Sequence, residues 1–162
     1  MKHKVDMAIR HLHEEENELA KELLRISELH KAEHGLHHVA RDLAVWSQEH
    51  VAHLARLGKE YGLDLDAEAK QNSRVGAAVR TKVSELTAHR PEPGPLVLRD
   101  LRRIHQMADG VSLDWEVLAQ TAQALRDTDL LTTSEECLAQ TTRQLQWAKA
   151  ELKAHAAQIM VS

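Results

Sequence analysis

The chain has 162 residues, enough for one ordinary domain with a proper core, and a net charge of −4. Four aromatic residues, Trp46, Tyr61, Trp115 and Trp147, stand among Leu, Ala, Val, Ile and Met, and glycine and proline are scarce at six and three. That mixture suits packed helices rather than sheets. The charge balance leaves no basic footprint for nucleic acid, and no apolar run approaches the ~20 residues that cross a bilayer.

The first amphipathic segment, about 4–32, places Val5, Ile9, Leu12, Glu16, Leu19, Leu23, Ile26 and His30 on one helical face. Gly35 is then read as a turn, because glycine enters the left-handed region without a steric penalty. The second helix, about 36–61, turns in Leu36, Val39, Leu43, Trp46, His50, Leu54 and Leu57, and Gly62 caps its end.

Residues 62–95 form a long crossover, in which Asp66 can cap a helix carrying Val75, Val79, Val83 and Leu86 before the run Pro-Glu-Pro-Gly-Pro at 91–95. The third helix, about 96–127, starts at or just after Pro95, with a seam of Leu101, Ile104, Ala108, Val111, Trp115, Leu118, Ala122 and Leu125. Asp109-Gly110 lies in its middle, where a glycine costs about 1 kcal/mol and opens the way to a kink. Thr133 and Glu136 read as a capping box for the fourth helix, about 133–160, with Leu138, Thr141, Leu145, Ala148, Leu152, His155 and Ile159 inward.

Short joints make antiparallel hairpins of the first and last helix pairs. The crossover of roughly thirty residues can travel back along the bundle at ~1.5 Å per residue if helical. The expected fold is therefore all-α, a single domain over 1–162 built from two hairpins and one long crossover. A five-helix array, in which residues 67–89 are a full member, is the alternative.

Residues 36–50 (LHHVARDLAVWSQEH) resemble the second helix of ferritin-like proteins, and residues 112–120 (SLDWEVLAQ) resemble their third. The likeness extends along the chain as a pattern of helix lengths, and is nearest to small bacterial ferritin-like proteins rather than storage ferritins. It implies a ferritin-like four-helix bundle and raises the question of a di-metal centre. Such centres take one Glu from each of two helices and Glu-x-x-His from each of the others. No glutamate in this chain has a histidine three residues later.

A wider spacing, Glu-x-x-x-His, occurs at Glu49/His53 and Glu151/His155, and also at Glu33/His37 and Glu85/His89, away from any expected centre. Such pairs also occur as ordinary helix-surface contacts. Glu16 and His50 interrupt apolar seams at matching depths and should face each other. They can form a buried pair that fixes register, or belong with Glu116 to a metal site, because a buried carboxylate needs a partner. The non-standard set is thus Glu16, Glu49, His50, His53, Glu116, Glu151 and His155, with iron or manganese as its metal.

His30, His34, His37 and His38 flank the first turn, with His105 and His155 expected nearby. They read as solvated side chains, as a surface chelate of His34 with His30 or His38, or as a patch that titrates near neutrality. Arg99, Arg102 and Arg103 read as a solvated helix face, and Cys137 as a small core residue. The opening Met-Lys-His-Lys-Val-Asp has no signal-peptide core, which makes the cytoplasm the expected location. The resulting expectation is a non-catalytic bundle with no cofactor, acting by self-association or by binding another protein. Homodimers are common among such bundles. The alternative is a divergent metal-binding member of the ferritin-like group.

Overall fold

The computed structural model describes residues 2–70 and 94–162. They form α1 (Lys2–Leu29), α2 (His34–Glu60), α3 (Gly94–Leu125) and α4 (Thr128–Val161), with no strand among the described residues. The expected helix within the crossover lies outside them, apart from Asp66. That carboxylate accepts from the Glu68 amide at 2.9 Å in a non-helical stretch.

The seam of α1 is buried at every position the sequence marks, from Val5 to His30. Each large apolar side chain fully withdrawn from water contributes roughly 1.5–3 kcal/mol. The seam of α3 is buried likewise from Leu101 to Ala122, with Leu125 partly covered, and the helix passes through Gly110 without a break. On α2 the expectation fails at Val39, which is 36% exposed, while Leu36 and Ala40 carry the contact instead.

The fourth seam is buried as expected at Thr141 and Ala148 but shifts at its other positions. Leu130, Ser134, Cys137, Thr141, Gln144 and Ala148 are buried, whereas Leu138, Leu145 and Leu152 only flank the core. Apart from Leu130 this buried face is made of small and polar side chains, so hydrophobicity alone points one residue off.

Two turns also differ from the sequence reading. Gly35 lies inside the first turn of α2, and the chain reverses over residues 30–33 instead. Thr133 and Glu136 are internal to α4, whose cap is Asp127, accepting from the Leu130 amide at 3.0 Å. Asp127 also accepts from the Tyr61 hydroxyl at 2.6 Å, fastening the end of α2 to the start of α4. Gly62 does take the expected left-handed conformation, with φ 79°.

Contacts between the hairpins fix the topology. Arg25 meets Asp100 and Glu16 meets Trp115, so α1 and α3 run antiparallel. Gln144 meets Leu43 and Asp129 meets Arg56, so α2 and α4 do as well. Consequently α2 and α3 are parallel and lie across the diagonal of the bundle. The crossover begins by running along α1: the Asp66 carbonyl accepts from His13 Nε2 at 2.7 Å, and the Lys70 amide donates to Asn17 at 3.0 Å.

Candidate functional site

Midway along the bundle, each helix contributes one polar side chain to a single network. Glu16 of α1 and His50 of α2 are completely buried, with Glu16 Oε1 2.9 Å from His50 Nδ1. Trp115 of α3 donates its indole N–H to the same carboxylate oxygen at 2.8 Å. His50 Nε2 lies 2.6 Å from the amide oxygen of Gln140 on α4. The rings of His50 and Trp115 meet edge to face at 5.9 Å.

With the Glu16 carboxylate towards Nδ1 and the Gln140 amide oxygen towards Nε2, both nitrogens donate and the ring is an imidazolium. Burial pushes its pKa down, but the charge of Glu16 and then the Cys137 side chain outweigh that and hold it up at about 11. Glu16 Oε2 is buried and has no hydrogen-bond partner among the described residues. One turn along α4, Gln144 donates to the Leu43 carbonyl at 2.9 Å and to the Ser47 hydroxyl at 2.8 Å.

A second charged cluster lies near the first turn. Asp100 of α3, 1% exposed, accepts from His30 Nε2 at 2.8 Å and from Arg25 Nη2 at 2.9 Å. Arg25 also forks onto Glu22, at 2.6 Å from Nη2 and 3.1 Å from Nε. Burial pushes the Asp100 carboxyl up, but the bonds from His30 and Arg25 outweigh it and hold the group below its usual range. Arg25 is held above its ordinary value despite burial, because Glu22 and Asp100 both stabilise its charge.

The other metal-ligand candidates are dispersed. Glu49 and Glu116 are exposed on the outer sides of α2 and α3. His53 is half-buried, and burial followed by the charge of His50 pushes its pKa down. His155 stands near the first turn, 3.6 Å from Glu151 and 3.8 Å from Glu33. The structure thus brings together Glu16 and His50 and leaves Glu49, His53, Glu116, Glu151 and His155 away from them. Among the described residues, no group of three or more His, Cys, Asp or Glu side chains is placed to hold a metal ion. His50 itself has neither ring nitrogen free and carries the proton that a metal would have to displace.

The turn histidines do not form one cluster, although the rings of His37 and His38 meet edge to face at 5.0 Å. His30 is buried on Asp100, and His37 is held by its Nδ1–H on the Ser27 carbonyl at 2.7 Å. His34 and His38 are exposed one turn apart on a continuous helix, which Gly35 does not interrupt. Cys137 is buried, in agreement with its reading as a small core side chain.

Sequence reasoning missed Gln140, Asp100 and the bonding role of Trp115. A signal existed for Arg25, which follows Glu22 at the i,i+3 spacing of helix-surface ion pairs. None distinguished Gln140, which is one of several glutamines on α4.

Comparison with protein-family models, with curated proteins and with solved structures finds no match to this chain.

Proposed function

We propose that this protein is a ferritin-like scaffold that acts by self-association, without catalysis and without a bound metal. The parallel, diagonal placement of α2 and α3 supports the ferritin-like reading, since two hairpins joined by one crossover require it. The non-catalytic reading is supported by the state of Glu16 and His50. They are the interior groups best suited to acid–base or ligand chemistry, yet they are sealed from solvent and neutralise each other.

The observation that carries self-association is an apolar face on α3. Leu113 and Val117, one turn apart, are 60% and 59% exposed. Val117 continues into a groove of about 600 Å³ that is walled by Val5, Ala124 and Leu125 and has Lys4 and Glu116 on its margin. A second copy of the chain is the occupant that fits. In a two-fold interface each residue meets its counterpart's partner, so Lys4 of one copy can reach Glu116 of the other while the apolar faces meet.

Sedimentation velocity tests this. Wild-type protein at about 10 μM is expected to be dimeric, and Leu113→Glu/Val117→Glu monomeric with unchanged helicity. A wild-type chain that stays monomeric up to about 100 μM would overturn self-association.

Metal analysis tests the remaining part of the reading. Untagged protein, incubated anaerobically with ferrous iron and desalted, is expected to retain less than about a tenth of an ion per chain. Stoichiometric iron or manganese, lost in Glu16→Ala and His50→Ala, would instead establish a divergent metal-binding bundle.

A further inference from the structure

The charged cluster on the α1–α3 side opens into a groove of about 560 Å³. Four guanidinium groups line it, Arg25, Arg99, Arg102 and Arg103, together with the amide of Gln106 and the carboxylates of Glu22 and Asp100. Among the described residues this is a local excess of two positive charges, on a chain whose net charge is −4.

Both carboxylates are already engaged. Asp100 is bonded by His30 and Arg25, and Glu22 by Arg25, with Arg103 Nε at 3.4 Å. Arg25 is therefore fixed as the floor of the groove, its charge shared between two acids. Arg99 and Arg102 are exposed and have no hydrogen-bond or ion-pair partner among the described residues.

We propose that this groove binds a small anion carrying adjacent phosphate groups, gripped by Arg99, Arg102 and Arg103. A guanidinium presents paired N–H donors in a fixed plane that matches two phosphate oxygens, which a lysine ammonium cannot do. Arg99 and Arg103 are four residues apart, ~6 Å along the helix axis, a spread that suits two anionic centres better than one. Among the described residues, no aromatic side chain lines the groove. The ligand is thus recognised through its phosphates and not by stacking on a base.

The shared chemistry is that of a diphosphate, either free or attached to a nucleoside. Isothermal titration of the untagged full chain with sodium pyrophosphate, at about 50 mM salt, is the test. A single saturable site per chain is expected, with sulfate at least about tenfold weaker and ADP no tighter than pyrophosphate. Markedly tighter ADP binding would overturn recognition through phosphate alone.

The Arg99→Gln/Arg102→Gln variant is expected to lose at least about tenfold in affinity with an unchanged melting temperature, because neither side chain holds the fold. Arg143→Gln, on the exposed side of α4, is expected to bind as wild type. Should the double variant fail to fold, Arg102→Lys carries the test, since it keeps the charge and loses the fork. Undiminished binding in the variant measured, an equal loss in Arg143→Gln, or no saturable heat up to about 10 mM pyrophosphate would each overturn the site.

Discussion

Glu16 and His50 form an ion pair that water does not reach, so removing one partner strands the other. Breaking such a pair typically costs about 3–5 kcal/mol, even where the intact pair contributes little net stability. Its pH dependence has a definite sign. The folded pKa of His50, about 11, lies above the ordinary 6.5, so the folded state holds this proton more tightly than the unfolded chain. The stabilisation is complete below 6.5 and is lost as pH rises towards 11. The urea midpoint of wild-type protein is accordingly expected to fall between about pH 7 and pH 10. Glu16→Gln, which keeps an oxygen for His50 but removes the charge, should flatten that fall while lowering stability near neutrality. A slope in Glu16→Gln equal to that of wild type would place its origin elsewhere.

At the scale of the element, the turn between α3 and α4 carries a conformational cost. Arg126 has φ 55°, a left-handed conformation that crowds the Cβ of an L-residue. The turn is closed by the Asp127 amide on the Ala122 carbonyl at 3.0 Å and by the Asp127 carboxylate on the Leu130 amide. Glycine adopts this conformation without the steric penalty, and the Arg126 side chain is exposed. Arg126→Gly is therefore expected to be neutral or to stabilise by up to about 1 kcal/mol in thermal melts, despite the added freedom of the unfolded chain. A loss of more than about 1 kcal/mol would show that Arg126 makes a stabilising contact in solution that outweighs the strain. Tyr61 joins the same corner, and burial followed by its bond to Asp127 raises its hydroxyl pKa to about 12.

At the scale of the whole molecule, the two hairpins are joined by layers of polar contacts as well as by apolar packing. The Asp100 cluster lies near the first turn, the Glu16–His50 network at mid-height, and the Arg56–Asp129 pair at 2.7 Å towards the other end. A sliding of one hairpin by a helical turn would take His30 and Arg25 away from Asp100, and Trp115 and Gln140 away from the Glu16–His50 pair. Such layers favour one register over its neighbours more than they add net stability. The outer surface is less constrained, and the exposed pair Leu113 and Val117 is the surface proposed for self-association. If that surface is used, the melting temperature should rise with protein concentration, and Leu113→Glu/Val117→Glu should abolish the rise.

The sequence by itself determined the helical class, the four main segments, the inward faces of α1 and α3, and the facing of Glu16 with His50. These follow from local periodicity and from counting residues along short-linked hairpins. Both quantities are set within a few turns of helix. The inward placing of Thr141 and Ala148 on α4 was legible too, but only the tertiary structure decided that Ser134, Cys137 and Gln144 join them, because the burial of small and polar side chains depends on neighbours rather than on hydrophobicity. It also decided that Gly35 continues a helix and that Asp127, not Thr133, begins one, since a cap is chosen by where the chain must reverse. The partners Trp115 and Gln140 for the Glu16–His50 pair, and Arg25 for Asp100, were likewise set by packing. A polar side chain's role in a bundle depends on what the opposing helices place within hydrogen-bond reach, and residues some 75 to 99 positions apart meet only after the hairpins dock.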